Sequence, residues 1–255
     1  MRVLSIANFK GGVGKTVTAV NMAAYLADSG FRVLLIDADP QHNCSDFYRI
    51  EEGPTLYDVL EGYTDLPAEA IPRPTALDNL SLLCSDMRLL TLDLGSIVNG
   101  SQSRVTARFA DFVQALRSGD VYDLLIVDCP PSFTAASVAA LMESDDVILP
   151  TRVDAWSRAG VIELIEQVRS LGRATAGTTF RVLITMSDRT NLARQGADLL
   201  RESGLDVFNS EIRRCVSVGE SSYARHPLIE YAPKSTAARD YDALVQEYLS
   251  GAGEV

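Results

Sequence analysis

Between the apolar run RVLSIAN (2–8) and the helix-like segment KTVTAVNMAAYLADS (15–29) stands Phe9-Lys10-Gly11-Gly12-Val13-Gly14-Lys15-Thr16. A short apolar strand that ends in a glycine loop and restarts as a helix constrains this chain more than any other feature. Glycines accept positive φ and let backbone N–H groups converge on an anion. The start of the following helix adds the positive end of its dipole. In the phosphate-binding pattern G-x-x-x-x-G-K-[ST], the lysine reaches the β- and γ-phosphates and the hydroxyl ligates Mg²⁺; Lys15 and Thr16 occupy those places. The pattern's first glycine is replaced by Phe9, and a second lysine, Lys10, follows it.

The rest of the chain continues the alternation. RVLLIDAD (32–39), LSLLCS (80–85), YDLLIVDCPPS (122–132), DVILP (146–150) and RVLITMS (181–187) read as buried strands, with a short one near 206–212. Helices are predicted at about 56–61, 86–98, 104–117, 134–143, 157–171, 190–203 and 236–249. The stretch from Gln41 to Pro74 is the least regular. These elements predict one α/β domain over 1–255, a mostly parallel twisted sheet with helices on both faces. With the first strand starting at Arg2, no helix-turn-helix is expected before the loop.

Three acidic residues end strands. Asp37 and Asp39 close LLIDAD, and Asp128 closes LLIVD. At the carboxyl edge of a parallel sheet they would lie near the glycine loop, where Mg²⁺ and an attacking water need carboxylates. Thr16 and Asp128 are the candidate metal residues, with Asp37 and Asp39 close to them at the same edge.

Net charge is -11, which excludes a protein that coats nucleic acid with its whole surface. The acidity is uneven: residues 1–150 hold 10 Lys/Arg and 20 Asp/Glu, whereas residues 151–255 hold 13 and 14. A local basic face in the second part is therefore allowed. Cys44, Cys84, Cys129 and Cys215 form no CxxC pair and read mostly as small buried residues. Trp156, the only tryptophan, reads as a half-buried packing residue. No apolar run is long enough to cross a membrane, and the expected location is the cytoplasm.

With KGGVGKT, LLIDADPQHN and LLIVDCPPS together, the sequence resembles the deviant-Walker P-loop ATPases of the ParA/MinD group. ITMSDRTNLARQ (184–195) and the tail from Glu211 to Leu244 favour the ParA/Soj branch. The resemblance implies a P-loop NTPase fold and an ATPase that uses ATP and Mg²⁺ and closes into a homodimer around two nucleotides. Gly11, Gly12, Val13, Gly14, Lys15, Thr16 and Val17 would wrap the phosphates. Lys10 would reach across to the partner's ATP, acting with Lys15 and Asp39 in catalysis; Asp39 would position or activate the attacking water, and Asp37 and Asp128 would act around Mg²⁺, which Thr16 contacts directly. Adenine would sit near Met186, Asp188, Arg213 and Arg214.

The resemblance further implies non-specific DNA binding, nucleoid association and a ParB-like or other cargo-adaptor activator. The DNA candidates are Arg189, Arg194, Arg213, Arg214, Arg225 and Lys234. Ser217 departs from the family, which commonly has a basic residue there. A MinD-like membrane regulator is the alternative and needs a basic amphipathic C-terminus. The tail YDALVQEYLSGAGEV has no Lys or Arg. A further alternative is an ATP-gated dimer switch with negligible hydrolysis, against which Asp39 argues.

Overall fold

The computed structural model describes residues 1–50, 52–99, 102–153, 157–171, 177–188 and 190–251. Apolar runs become strands β1 (Arg2–Ile6), β2 (Val33–Asp37), β4 (Leu80–Leu83), β5 (Leu124–Asp128), β6 (Asp146–Arg152) and β7 (Thr179–Ser187). Strand β8 (Val207–Arg213) and the two-residue β3 (Arg73–Pro74) complete an eight-stranded sheet in the order β3-β4-β2-β5-β1-β6-β7-β8. All neighbours are parallel except β3, which pairs antiparallel with β4 at the edge. A proline is tolerated there because an edge strand can spare a donor.

Alternation along the strands sends side chains into two cores. Leu34, Ile36, Leu125 and Val127 face one side with Leu56, Phe109, Ala139 and Leu164. Those residues come from helices α3 (Leu56–Glu61), α5 (Gln102–Gly119), α6 (Ala135–Glu143) and α7 (Ser157–Ser170). Val33, Leu35, Leu124 and Ile126 face the other side with Met22, Leu26, Tyr241 and Leu244 of α1 (Lys15–Asp28) and α11 (Thr236–Gly251). Helix α4 (Leu89–Asn99) lies beside α5 and α6, and α8 (Asn191–Arg201) links β7 to β8. The expected fold class is the observed one.

Three short helices were not legible. Between 41 and 74 one helix was expected, yet α2 (Asn43–Tyr48) precedes α3. The stretch between β8 and α11 holds α9 (Val216–Ala224) and α10 (Leu228–Tyr231). The two shortest, α2 and α10, have too few turns for a periodic apolar pattern and draw their stability from tertiary contacts.

Register sets the site. Ile6 of β1 and Asp37 of β2 both pair with Asp128 of β5. Three adjacent strands thus end level, and the loops that leave them share one edge.

Candidate functional site

The loop after β1 is fixed from several sides. Asn8 is buried; its Nδ2 donates to the Pro150 carbonyl at 2.8 Å and its Oδ1 accepts from the Lys10 N–H at 3.0 Å. Phe9, where the common pattern has glycine, packs edge-on against Phe133, with ring centroids 4.7 Å apart. The Val13 carbonyl accepts from the Thr185 hydroxyl at 2.8 Å. Gly12 and Gly14 take φ of 70° and 88°, and Gly14 caps α1. Nothing lies within 4 Å of where a Cβ would stand at Gly11, Gly12 or Gly14, so the cradle is open.

Lys15 is 8 % exposed, and its Nζ donates to the Lys10 carbonyl at 3.1 Å. Burial pushes its pKa down, and the nearby Asp128 and Asp39 carboxylates oppose that shift. The Lys10 side chain lies along α7, its Cε 3.8 Å from where a Cβ would stand at Gly160.

The acidic strand ends meet as the register demands. Asp128 is buried, and its carboxyl is raised to about 7, by desolvation first and the Asp37 charge second, while Thr16 and Cys44 oppose the shift. Its Oδ2 accepts from the Cys44 thiol at 3.4 Å, and its Oδ1 makes no hydrogen bond. Asp37 is also buried, and desolvation raises it to about 6. Both its oxygens are taken: Oδ2 accepts from the Ser45 N–H and hydroxyl at 2.9 Å each, and Oδ1 accepts from the Asp39 N–H at 3.2 Å. Asp37, a candidate metal residue, thus also organises the turn into α2. Asp39 is 8 % exposed, and its Oδ1 accepts from the Gln41 N–H at 2.9 Å.

A buried carboxylate oxygen without a partner, beside a threonine hydroxyl, fits a hydrated divalent cation. Among the described residues no three His, Cys, Asp or Glu side chains form a metal cluster. That donor set suits Mg²⁺, which keeps its waters and binds through phosphates and one or two protein groups.

The expected base site is a cavity of about 730 Å³ lined by Asp188, Arg213 and Arg214, together with Glu211 and Asp240. Met186 precedes it in the left-handed region at φ 52°. The Asp188 carboxylate accepts from the Thr190 N–H and hydroxyl, which pulls its pKa down. Arg213 is paired with Asp240 through its backbone N–H, Nε and Nη2.

Of the remaining basic candidates, Arg194, Arg214, Arg225 and Lys234 are exposed, while Arg189 lies outside the described residues, as does Trp156. Cys44 and Cys129 are buried, but Cys84 and Cys215 are only half-buried. Sequence reasoning missed Asn8, Ser45, Ser85 and Thr185. Ser85 donates its hydroxyl to the Asp39 carbonyl at 2.7 Å and its N–H to Ser45 Oγ at 2.9 Å. Asn8 and Thr185 carry a weak signal, each a polar residue at or beside the end of an apolar strand.

Fold and loop together define a P-loop nucleotide-binding protein. A family model described as an AAA domain matches residues 1–179. The chain is 36 % identical to the chromosome partitioning protein ParA of Caulobacter vibrioides, over 98 % of this chain and 94 % of that one. It is 33 % identical to the sporulation initiation inhibitor protein Soj of Bacillus subtilis, covering 96 % and 97 %. The solved structure of apo McdA from Cyanothece superposes with a TM-score of 0.83 at 24 % identity, covering 98 % of this chain and 99 % of that one. The chain belongs to the ParA/MinD-type family of P-loop ATPases.

Proposed function

We propose that this chain is a slow ATPase that closes into an ATP-gated homodimer, binds DNA non-specifically in that state and positions or segregates DNA or protein cargo. Hydrolysis, stimulated by a ParB-like or other cargo adaptor, releases it. The observation that carries the reading is the meeting of a two-lysine loop with the unpartnered Asp128 oxygen at one sheet edge.

In this reading the open glycine cradle takes the phosphates on backbone N–H groups, and Lys15 neutralises charge on the β- and γ-oxygens. Its burial strengthens that attraction, because little water competes. Mg²⁺, held by the Thr16 hydroxyl with Asp128 as outer partner, would offset the charge that develops on the phosphates. Asp39, on the loop fixed by Asp37 and Ser85, orients the attacking water. Lys10 leaves its place along α7 and reaches the partner's phosphates. The base enters the cavity beside Asp188 and Arg214.

The DNA face is Arg189, Arg194, Arg214, Arg225 and Lys234. Arg213, neutralised by Asp240, supports the cavity wall better than a phosphate contact. Contacts to phosphate carry no sequence information and weaken with salt. Retention of the protein on DNA-coated beads at low salt, with ATP and with ADP, tests the reading alongside steady-state turnover. Retention with ATP and release with ADP is expected. Absence of retention in both overturns the DNA assignment, and absence of turnover overturns the ATPase.

A further inference from the structure

One buried side chain joins the helix of the phosphate loop to the segment that holds the exposed Arg225. Asn21, on α1, is 2 % exposed. Its Nδ2 donates to the Val17 carbonyl at 2.8 Å, and its Oδ1 accepts from the Leu228 N–H at 2.8 Å. Leu228 opens α10 directly after Pro227. The first N–H of a helix has no acceptor within that helix, and Leu228 is fully buried, so the group needs a partner from elsewhere. That partner comes from α1.

The amide of Asn21 is a rigid plane with one donor end and one acceptor end in use. Reversing it would set oxygen against the Val17 carbonyl and NH₂ against the Leu228 N–H, so both bonds hold it in one orientation. Val17 follows Thr16 directly. A change in the first turn of α1 that moved the Val17 carbonyl would reach Leu228 through the Asn21 plane.

A cavity of about 360 Å³ lies at this junction, lined by Thr16, Asn21, Asn43, Asp46 and Arg225 among others. It leaves room for the elements around α1 to shift. Arg225 closes α9 in the left-handed region at φ 60°, three residues before Leu228.

We propose that Asn21 is a positioning residue that couples occupancy of the phosphate loop to the placement of the Arg225–Leu228 turn. The proposal rests on the reading of the loop as an ATP site, so ATP affinity is measured on the same samples. Hydrogen exchange of the full chain, without nucleotide and with ATP, provides the test. The amides to follow are those of Arg225, His226, Glu230 and Tyr231, whose acceptors are the carbonyls of Ser222, Ser221 and Pro227 and not Asn21. They report coupling and not the mere loss of the Asn21 acceptor.

In the wild type ATP is expected to change their exchange by about fivefold or more. In Asn21→Ala that difference is lost, while ATP affinity stays within about threefold. Asn21→Leu, which keeps the volume, serves if the alanine variant does not fold and gives the same loss. Thr18→Val removes another buried hydrogen bond of α1, that to the Tyr241 hydroxyl at 3.3 Å, and keeps the difference.

The proposal is overturned if wild type binds ATP without the exchange difference, if either Asn21 variant keeps it, or if Thr18→Val loses it equally. A wild type that does not bind ATP overturns the ATP reading, and this proposal with it. A wild type that shows the difference but is not retained on DNA overturns the DNA assignment alone.

Discussion

Replacing Asp128 with asparagine separates what the site costs the fold from what it gives the reaction. Burial, with the neighbouring Asp37 charge, moves this carboxyl from 3.8 to about 7. At about 1.4 kcal/mol per pH unit, the ionised, unliganded protein bears about 4 kcal/mol. The sign follows from proton linkage. The folded state holds the proton more tightly, so this stability is complete below the unfolded value of 3.8 and is lost as pH rises through about 7. Of the total, about 3 kcal/mol falls between pH 5 and pH 8.

Asparagine keeps the shape and removes the charge. Its new NH₂ meets the site of the Cys44 contact or the unpartnered Oδ1, at a cost of about 1–2 kcal/mol. Asp128→Asn should therefore match the wild type at pH 5 and exceed it by about 3 kcal/mol at pH 8. Urea unfolding of nucleotide-free protein at the two pH values measures this. Turnover of the same variant should fall ~10–100-fold, the usual loss for an outer partner of a metal. A variant destabilised equally at both pH values would refute the burial argument. Unchanged turnover would remove Asp128 from the site.

Other consequences are open to direct measurement. Thr185→Val deletes the hydroxyl that holds the Val13 carbonyl at 2.8 Å and keeps the volume; it should cost about 1–2 kcal/mol in urea unfolding. Because the lost bond fixes the phosphate loop, ATP titration should show weaker binding as well, and Thr185→Ser should restore most of it. Arg225→Gly relieves the left-handed φ of 60° and should stabilise the protein by up to about 1 kcal/mol in thermal unfolding. The same change removes one candidate phosphate contact, so the salt slope of DNA retention should fall by about one.

The strands β1, β2 and β5 were legible because an apolar run bounded by a loop signal has few other readings. Helix α3 was expected at about its own bounds, and the structure adds a capping box of Thr55 and Asp58 at its start. Convergence of the acids was legible too, because parallel strands that end in Asp must end at one edge. What each acid does there was not. Asp37 looks like Asp128 in sequence, but its Oδ2 is held by Ser45 eight residues on, through a six-residue helix with no periodic signature, and its Oδ1 by the Asp39 N–H.

The role of Phe9 was hidden for the same reason. Its partner Phe133 is distant in the chain, and only the fold brings the two rings together. The pairing of Arg213 with Asp240 was likewise a tertiary fact, and it sets that side chain in a cavity wall.

The central claim is that Lys10 makes this loop half of a two-subunit site. Sedimentation velocity with ATP tests it most directly, using Asp39→Ala to slow hydrolysis. That protein should sediment at twice the chain mass of 27.7 kDa with ATP and as a single chain with ADP. Adding Lys10→Ala should return it to the single-chain mass at the same ATP concentration. A double variant that still doubles its mass with ATP, and binds ATP as before, would contradict the account.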